Sequence, residues 1–269
     1  MNKKLKLLVL LVAGLVITSC SEYQKALKNE DVKAKYEMAE KLFEEKKYKK
    51  AIRLFEQIAP NYAGKPQGER IYYFLANSYF HVEDYYLAAY QFERFAKSYP
   101  KSEKVEEALY KNALSQYKIS PKYSIDQTET VTALEKLQAF INKYPESEFL
   151  EEANKMSVEL RTKLEKKAFE IAKQYNTIRD YKPAVKALDL FLAEYPGSPY
   201  RENALYEKYL ATYYLAMNSI LAKQEERLNE AIAAYNSLKK FYPGSEFMKE
   251  ADRMLENINK ELERFNKNT

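Results

Sequence analysis

Tryptophan is absent from the 269 residues, and glycine, histidine and cysteine are scarce at five, one and one. With Cys20 as the single cysteine, no disulfide can form within the chain. With His81 as the single histidine there is no Cys/His pair for nucleophilic chemistry, and zinc would have to be held almost entirely by carboxylates, an unusual donor set for that metal. His81 falls at the end of a predicted helix, where it reads as a helix-terminal cation or a turn residue. Gly14, Gly64, Gly68, Gly197 and Gly244 are scattered, so they assemble no Gly-rich phosphate loop. Glu44-Glu45, Glu106-Glu107 and Glu151-Glu152 are adjacent residues on exposed helix faces, where neither geometry nor burial tunes them for acid and base roles. The inventory predicts no enzyme, no cofactor and no metal.

Few glycines and 31% charged residues also leave few tight turns and no obvious strand pairs, while Ala, Leu, Lys and Glu dominate as in long helices. An excess of one charge is lacking too. The formal charge is +5, but Lys3, Lys4 and Lys6 belong to a leader, and without them 41 basic residues face 39 acidic ones. That balance makes no case for a nucleic-acid partner. The charges alternate along helix faces, as on a solvated surface.

The leader is read over residues 1–19. After the three lysines, Leu7 to Ile17 is an apolar run of eleven residues broken only by Gly14. This is a secretory signal, too short for a bilayer that needs about 20 residues. Ile17-Thr18-Ser19-Cys20 resembles a bacterial lipobox, which implies that the chain is cut before Cys20, that its thiol is diacylated and that the new amino terminus receives a third acyl chain. Two or more chains anchor a protein stably. Ser21, rather than an aspartate, follows Cys20, which by resemblance to known sorting rules favours the outer membrane. An ordinary secreted protein with a stray cysteine near the cut is the alternative.

What the chain has in abundance is repetition. Tyr99-Pro100, Tyr144-Pro145, Tyr195-Pro196 and Tyr242-Pro243 each place the tyrosine eleven residues after an alanine (Ala88, Ala133, Ala184, Ala231), and Tyr62 follows Ala51 by the same eleven. Tyr48, Tyr85 and Tyr181 precede their alanines by three, with Thr130 and Leu228 in the other two units. Phe55, Phe92, Leu137, Leu188 or Tyr235 follows the alanine by four, and Ile58, Phe95, Phe140, Phe191 or Leu238 follows by seven, which makes one apolar helical stripe. Proline then stops the helix. Nine residues before the opening tyrosine, Ala39, Ala76 and Ala172 let a first helix approach its partner closely. Small residues at closest approach and large ones at the edges form the tetratricopeptide pattern. The predicted fold is all-α, a right-handed superhelical solenoid of five tetratricopeptide-like helical hairpins.

Units three and five carry about eight extra residues between their helices. Around Ile119 to Ser124 they contain Pro121 and predict a loop; around Ile220 to Arg227 they can extend the helices. No breaker occurs from Glu148 to Lys173, which predicts one long helix. The expected organisation is a signal over 1–19, a lipidated linker over 20–32, repeats one to three over 33–147, and the long helix with repeats four and five over 148–269.

In tetratricopeptide hairpins the concave surface is lined from the first helix, three before and one and four after its small residue. Those positions are Tyr36, Glu40 and Phe43; Tyr73, Asn77 and Phe80; and Tyr110, Leu114 and Tyr117. With Arg70 and Asn77 as donors, the rings suit an extended peptide rich in aromatic and apolar residues. The same rings also fit as core between hairpins. Repeats four and five have Phe169, Lys173 and Asn176, then Lys208, Thr212 and Leu215, so the aromatic register is expected to end after repeat three.

The lipobox at Cys20, Tyr23-Gln24-Lys25 behind it, five repeat units, and the insertion Ser120-Pro121-Lys122-Tyr123-Ser124-Ile125-Asp126-Gln127 together resemble the BamD family, the lipoprotein subunits of the outer-membrane β-barrel assembly machinery. The resemblance spans essentially the whole chain. It implies a scaffold lipid-anchored to the outer membrane and facing the periplasm. It also implies that the scaffold docks on the periplasmic domains of a BamA-like barrel subunit, associates with other lipoproteins of the complex and receives unfolded barrel precursors. A precursor strand, with its alternating apolar residues, is the kind of peptide the groove suits. The loss of aromatic register after repeat three leads to the expectation that repeats four and five are the docking half, contacting the partner subunit through charged and small residues rather than an aromatic strip. Another periplasmic tetratricopeptide lipoprotein adaptor, working in envelope division, peptidoglycan or glycan uptake, would share the hairpins and proline stops.

Overall fold

The computed structural model describes residues 22–268, with side chains to Phe265; the signal sequence and Cys20 lie outside the described residues. Among the described residues every regular element is a helix, and none is long and apolar enough to cross a membrane. Residues 22–28 form α1, and Tyr23 and Ala26 on it are buried in the first core, so this stretch of the expected 20–32 linker is instead a packed helix. Then come α2 (Val32–Glu44), α3 (Tyr48–Ile58), a 3-10 turn (Ala59–Tyr62), α4 (Gly68–His81), α5 (Tyr85–Ser98), α6 (Val105–Ile119) and α7 (Thr128–Lys143). The remainder is α8 (Leu150–Thr177), α9 (Tyr181–Glu194), α10 (Arg201–Met217), α11 (Leu221–Phe241) and α12 (Met248–Asn268).

The alanine pattern is the hairpin contact. Ala39, Ala76 and Ala113 in first helices and Ala51, Ala88, Ala133, Ala184 and Ala231 in second helices are all 0% exposed. A methyl group is all that fits there, and a larger side chain would overpack the contact at about 1–3 kcal/mol. Three hairpins turn in the same way. Lys46, Glu83 and Arg179, two residues before the opening tyrosine, take left-handed φ of 58°, 63° and 63°. Their N–H groups and those of Lys47, Asp84 and Asp180 donate back to the last turn of the first helix, which satisfies carbonyls the helix end leaves free. Tyr48, Tyr85 and Tyr181 open α3, α5 and α9 as expected, whereas Thr130 and Leu228 lie inside α7 and α11.

The stops are just as regular. Tyr99, Tyr144, Tyr195 and Tyr242 cap α5, α7, α9 and α11 with φ between -121° and -136° and ψ between 59° and 68°, outside the helical region that a following proline disfavours. Three residues on, the N–H of Ser102, Ser147, Ser198 or Ser245 donates to the tyrosine carbonyl. The serine Oγ then accepts the N–H of Lys104, Phe149, Tyr200 or Phe247 at 3.0–3.2 Å, just before the next helix. The first connector differs because Pro60 lies inside the 3-10 turn, before Tyr62. Gly68 follows there, and a Cβ on it would overlap the Tyr99 hydroxyl and the Tyr62 carbonyl.

Both insertions fold as their sequences suggest. In repeat three the chain between Ile119 and Thr128 is a loop; in repeat five the extra residues lengthen α11 to 21 residues. The long helix is α8, 28 residues. By internal packing the chain forms two compact units, one of residues up to Pro121 with Gln127–Ser157, the other of Lys122–Asp126 with Val158–Thr269. In the first, one core runs from Tyr23 to Ala108 through Leu54, Phe55, Tyr72 and Phe92. The second has a cluster around Phe169, Leu188 and Phe191, and another running from Leu205 through Tyr209 to Ile258. Within that second unit the insertion lies on α8, with Lys166 Nζ 4.4 Å from the Tyr123 ring centroid and Lys167 donating to the Ile125 carbonyl at 2.6 Å.

Candidate functional site

The serine-anchored residue of each connector decides what happens to one ring on the preceding first helix. Tyr110 stacks on Phe149 with centroids 4.3 Å apart and planes 9° apart. Phe169 stacks on Tyr200 at 5.6 Å and Tyr206 on Phe247 at 4.2 Å. In repeat two the corresponding pair is Tyr73 and Lys104, an ammonium 5.7 Å from the ring centroid in place of a second ring. In repeat one Tyr36 has Gln67 in that place, five residues after Tyr62 as Lys104 is five after Tyr99.

Without an aromatic partner from the connector these two rings border a cavity of about 640 Å³ whose lining includes Tyr36, Tyr62, Arg70, Tyr73, Phe74 and Phe95, together with Gln67 and Lys104. Phe95 is fully buried and forms the floor under Tyr73, their centroids 5.5 Å apart. Arg70 is exposed, pairs with Glu40 and lies 5.1 Å from the Phe74 ring centroid, so its charge is held over apolar surface. The site is amphipathic: flat rings below, a guanidinium and an ammonium at the surface.

The two half-buried tyrosines of this wall have raised pKa values. Burial raises the Tyr36 pKa, helped by Glu40 and opposed by Arg70. Burial also raises that of Tyr73, and its hydrogen bond to Glu107 adds to the effect. Burial works to raise the Glu107 pKa, but the hydrogen bonds from Tyr73 and Lys111 and the nearby lysine charges hold it below the ordinary value. Lys111 pairs with Glu107 at 2.9 Å and donates to Asn77 Oδ1 at 2.6 Å. This network fixes the orientation of the Tyr73 hydroxyl.

The structure distributes the other sequence-predicted residues over different roles. Asn77 is 3% exposed and donates to the Tyr73 carbonyl at 2.9 Å, so it braces α4. Phe43 stacks on Phe74 at 4.5 Å and supports the cavity wall from behind. Phe80 meets Phe92 and Tyr85 edge-on. Tyr117 is half-buried on α6. Tyr110 is 5% exposed under Phe149 and is core. His81 ends α4 and stacks on Tyr48 at 4.4 Å; burial and the charges of Lys111 and Lys46 lower its pKa. Cys20 lies outside the described residues.

Two results run against the sequence expectation. The aromatic register does not end after repeat three, because Phe169 and Tyr206 continue it; Tyr206 lies eleven residues after Tyr195, as Tyr110 does after Tyr99, so Lys208 is not the equivalent position. Gln67 and Lys104 were missed as site residues. Comparing the residue five after each stop tyrosine, Gln67, Lys104, Phe149, Tyr200 and Phe247, would have found them.

Repeated hairpins around an open amphipathic cavity define a helical-repeat scaffold, a class that is generally non-enzymatic. The family model described as "YfiO: Outer membrane lipoprotein" matches residues 28–226 and 177–268. The chain belongs to this outer membrane lipoprotein family. Comparison with curated proteins gives no match.

Proposed function

We propose that the protein is a lipid-anchored, periplasm-facing scaffold of the β-barrel assembly machinery, with Cys20 carrying the acyl chains. It receives unfolded outer-membrane protein precursors in the cavity at Tyr36, Arg70 and Tyr73, and docks on the periplasmic domains of a BamA-like barrel subunit beside other lipoproteins of the complex. The observation that carries this reading is the cavity itself, left open by Gln67 and Lys104 in a chain of an outer membrane lipoprotein family. Rigid rings at its floor bury the apolar side chains of an extended strand at low entropic cost, and the guanidinium and ammonium at its surface hydrogen-bond the strand's polar backbone.

Docking is assigned to the second unit, which exposes Leu190 (61%), Ile220 (70%) and Leu221 (75%) among the lysines and acids of α9 and α11. These are the apolar residues that this reading gives to the partner surface. The decisive experiment is site-specific crosslinking of precursor to the Tyr36→Ala/Tyr73→Ala chain, scored alongside its thermal unfolding. Loss of crosslinking in a stably folded chain is expected; unchanged crosslinking would falsify the groove. Pulling the lipoprotein from detergent-solubilised outer membrane is expected to bring a large barrel protein with periplasmic domains. Recovery of division, peptidoglycan or glycan-uptake proteins without that barrel would favour the adaptor alternative.

A further inference from the structure

The tether leaves the fold at a defined place. Glu22 pairs with Lys41, in the last turn of α2, at 3.6 Å, and Lys50, near the start of α3, lies 5.1 Å from the ring centroid of buried Tyr23. Residue 22 is therefore beside the α2–α3 turn. Cys20 precedes it by two residues, so a lipid carried there begins within about 7 Å of Glu22 along the chain.

That same turn is basic and its neighbour is aromatic. Lys41, Lys46, Lys47 and Lys49 are exposed and Lys50 half-exposed, against Glu22, Glu44 and Glu45. The stacked rings of Tyr48 and His81 join it to the α4–α5 turn. Beyond that turn, the first two turns of α5 present Tyr86 at 62%, Leu87 at 40% and Tyr90 at 59% exposure. Glu83 and Asp84 are the opposing charges there, and Asp84 is engaged as the N-cap of α5.

We propose that this end of the first unit rests on the membrane, with Lys46, Lys47, Lys49 and Lys50 against anionic phospholipid headgroups and Tyr86, Leu87 and Tyr90 in the headgroup layer. Lysines beside a tether gain from the negative surface potential of such a leaflet, and tyrosine is the side chain whose apolar ring and polar hydroxyl suit the interface. The surface would add a fixed orientation to the lipid tether. The proposal rests on acylation of Cys20.

The test reconstitutes the full lipidated protein into phosphatidylethanolamine–phosphatidylglycerol vesicles bearing a headgroup quencher, with a fluorophore at Tyr86→Cys or at Lys101→Cys. The control lies past the far end of α5, roughly 20 Å away along the helix. Quenching several-fold stronger at residue 86 is expected; equal quenching overturns the proposal, as it would if a protein partner covered these turns. A second arm floats the 20–269 chain carrying Cys20→Ser with phosphatidylglycerol or with phosphatidylcholine vesicles. Binding should need the anionic lipid and fall about tenfold or more when the four lysines become glutamine. Lipid-independent binding, or an unaffected variant, sinks the proposal. Tyr86→Ser/Tyr90→Ser repeats the measurement should the glutamine variant lose its helical circular dichroism. A mass spectrum of the membrane-extracted protein without acyl chains would instead defeat the Cys20 reading, while the second arm still decides the surface.

Discussion

In repeat two Tyr73 borders a cavity, and in repeat three Tyr110 is covered by Phe149, although the two tyrosines hold the same place eleven residues after Tyr62 and Tyr99. The connectors that follow them have the same backbone, with Ser102 and Ser147 each capturing the N–H of the residue two further on. The difference is the side chain of that residue. A phenylalanine covers the ring and completes a dry contact; a lysine keeps its ammonium towards solvent and leaves one face of the ring open to the cavity. Repeats four and five follow repeat three, through Tyr200 and Phe247. A repeat of this kind makes core by default and a cavity where the covering residue is replaced.

The largest expected effect tests the covered side of the comparison. Tyr110→Ala should lose about 3 kcal/mol, read from the urea midpoint, because it empties a buried ring position. Tyr73→Ala, already open on one face, should lose less than half of that while abolishing precursor crosslinking. Equal stability losses would mean that Tyr73 is core as well.

Closing the open repeat is the next largest effect. Lys104→Phe should stack on Tyr73 and lower precursor affinity about tenfold, while raising stability by about 0.5–1.5 kcal/mol, the worth of an aromatic pair. Undiminished binding by a stably folded variant would show that the ligand does not use this face of the ring.

The hydrogen bond that orients Tyr73 gives a pH dependence. Since the Glu107 pKa is lowered from 4.5, its contribution is complete above that pH and is lost as pH falls through the lowered value. Glu107→Gln should therefore flatten the acid side of the stability profile and leave the neutral side lower. A parallel acid limb in the variant would exclude Glu107 as its source.

Lys46→Gly tests the hairpin turn that both kinds of repeat share, and its effect is the smallest. Relief of a left-handed φ of 58° should add roughly 0.5 kcal/mol after glycine's entropic cost. A stability gain at Lys46 and Arg179 alike would show the turn to be equivalent in the two units.

The helices, their stops and the long α8 were legible because each rests on local chemistry: alanine at a contact, proline after a helix, no breaker from Glu148 to Lys173. The loop and the helical extension made by the two insertions were legible for the same reason, since only the first contains a proline. The site was half legible. Tyr36, Arg70 and Tyr73 come together as their spacing suggested, but Tyr110 has the same spacing and the opposite fate. Helical periodicity places a ring on a face and carries no information on what the next connector lays over that face. Counting back from a lengthened helix also misplaced repeat five at Lys208, since inserted residues shift the count from one end and leave the count from the preceding stop, which finds Tyr206, unchanged.

The sequence by itself determined the all-α class, the five hairpins and the proline-marked stops of their helices, because these depend on residues within a few turns of one another. Tertiary structure decided which rings are core and which are surface. That choice depends on Lys104, Phe149, Tyr200 and Phe247, side chains brought to a ring 31 to 41 residues earlier in the chain by the connector's serine, and in the first repeat on Gln67, which lines the same cavity as Tyr36. Burial of a ring is a property of the pair, and only the folded chain brings the pair together.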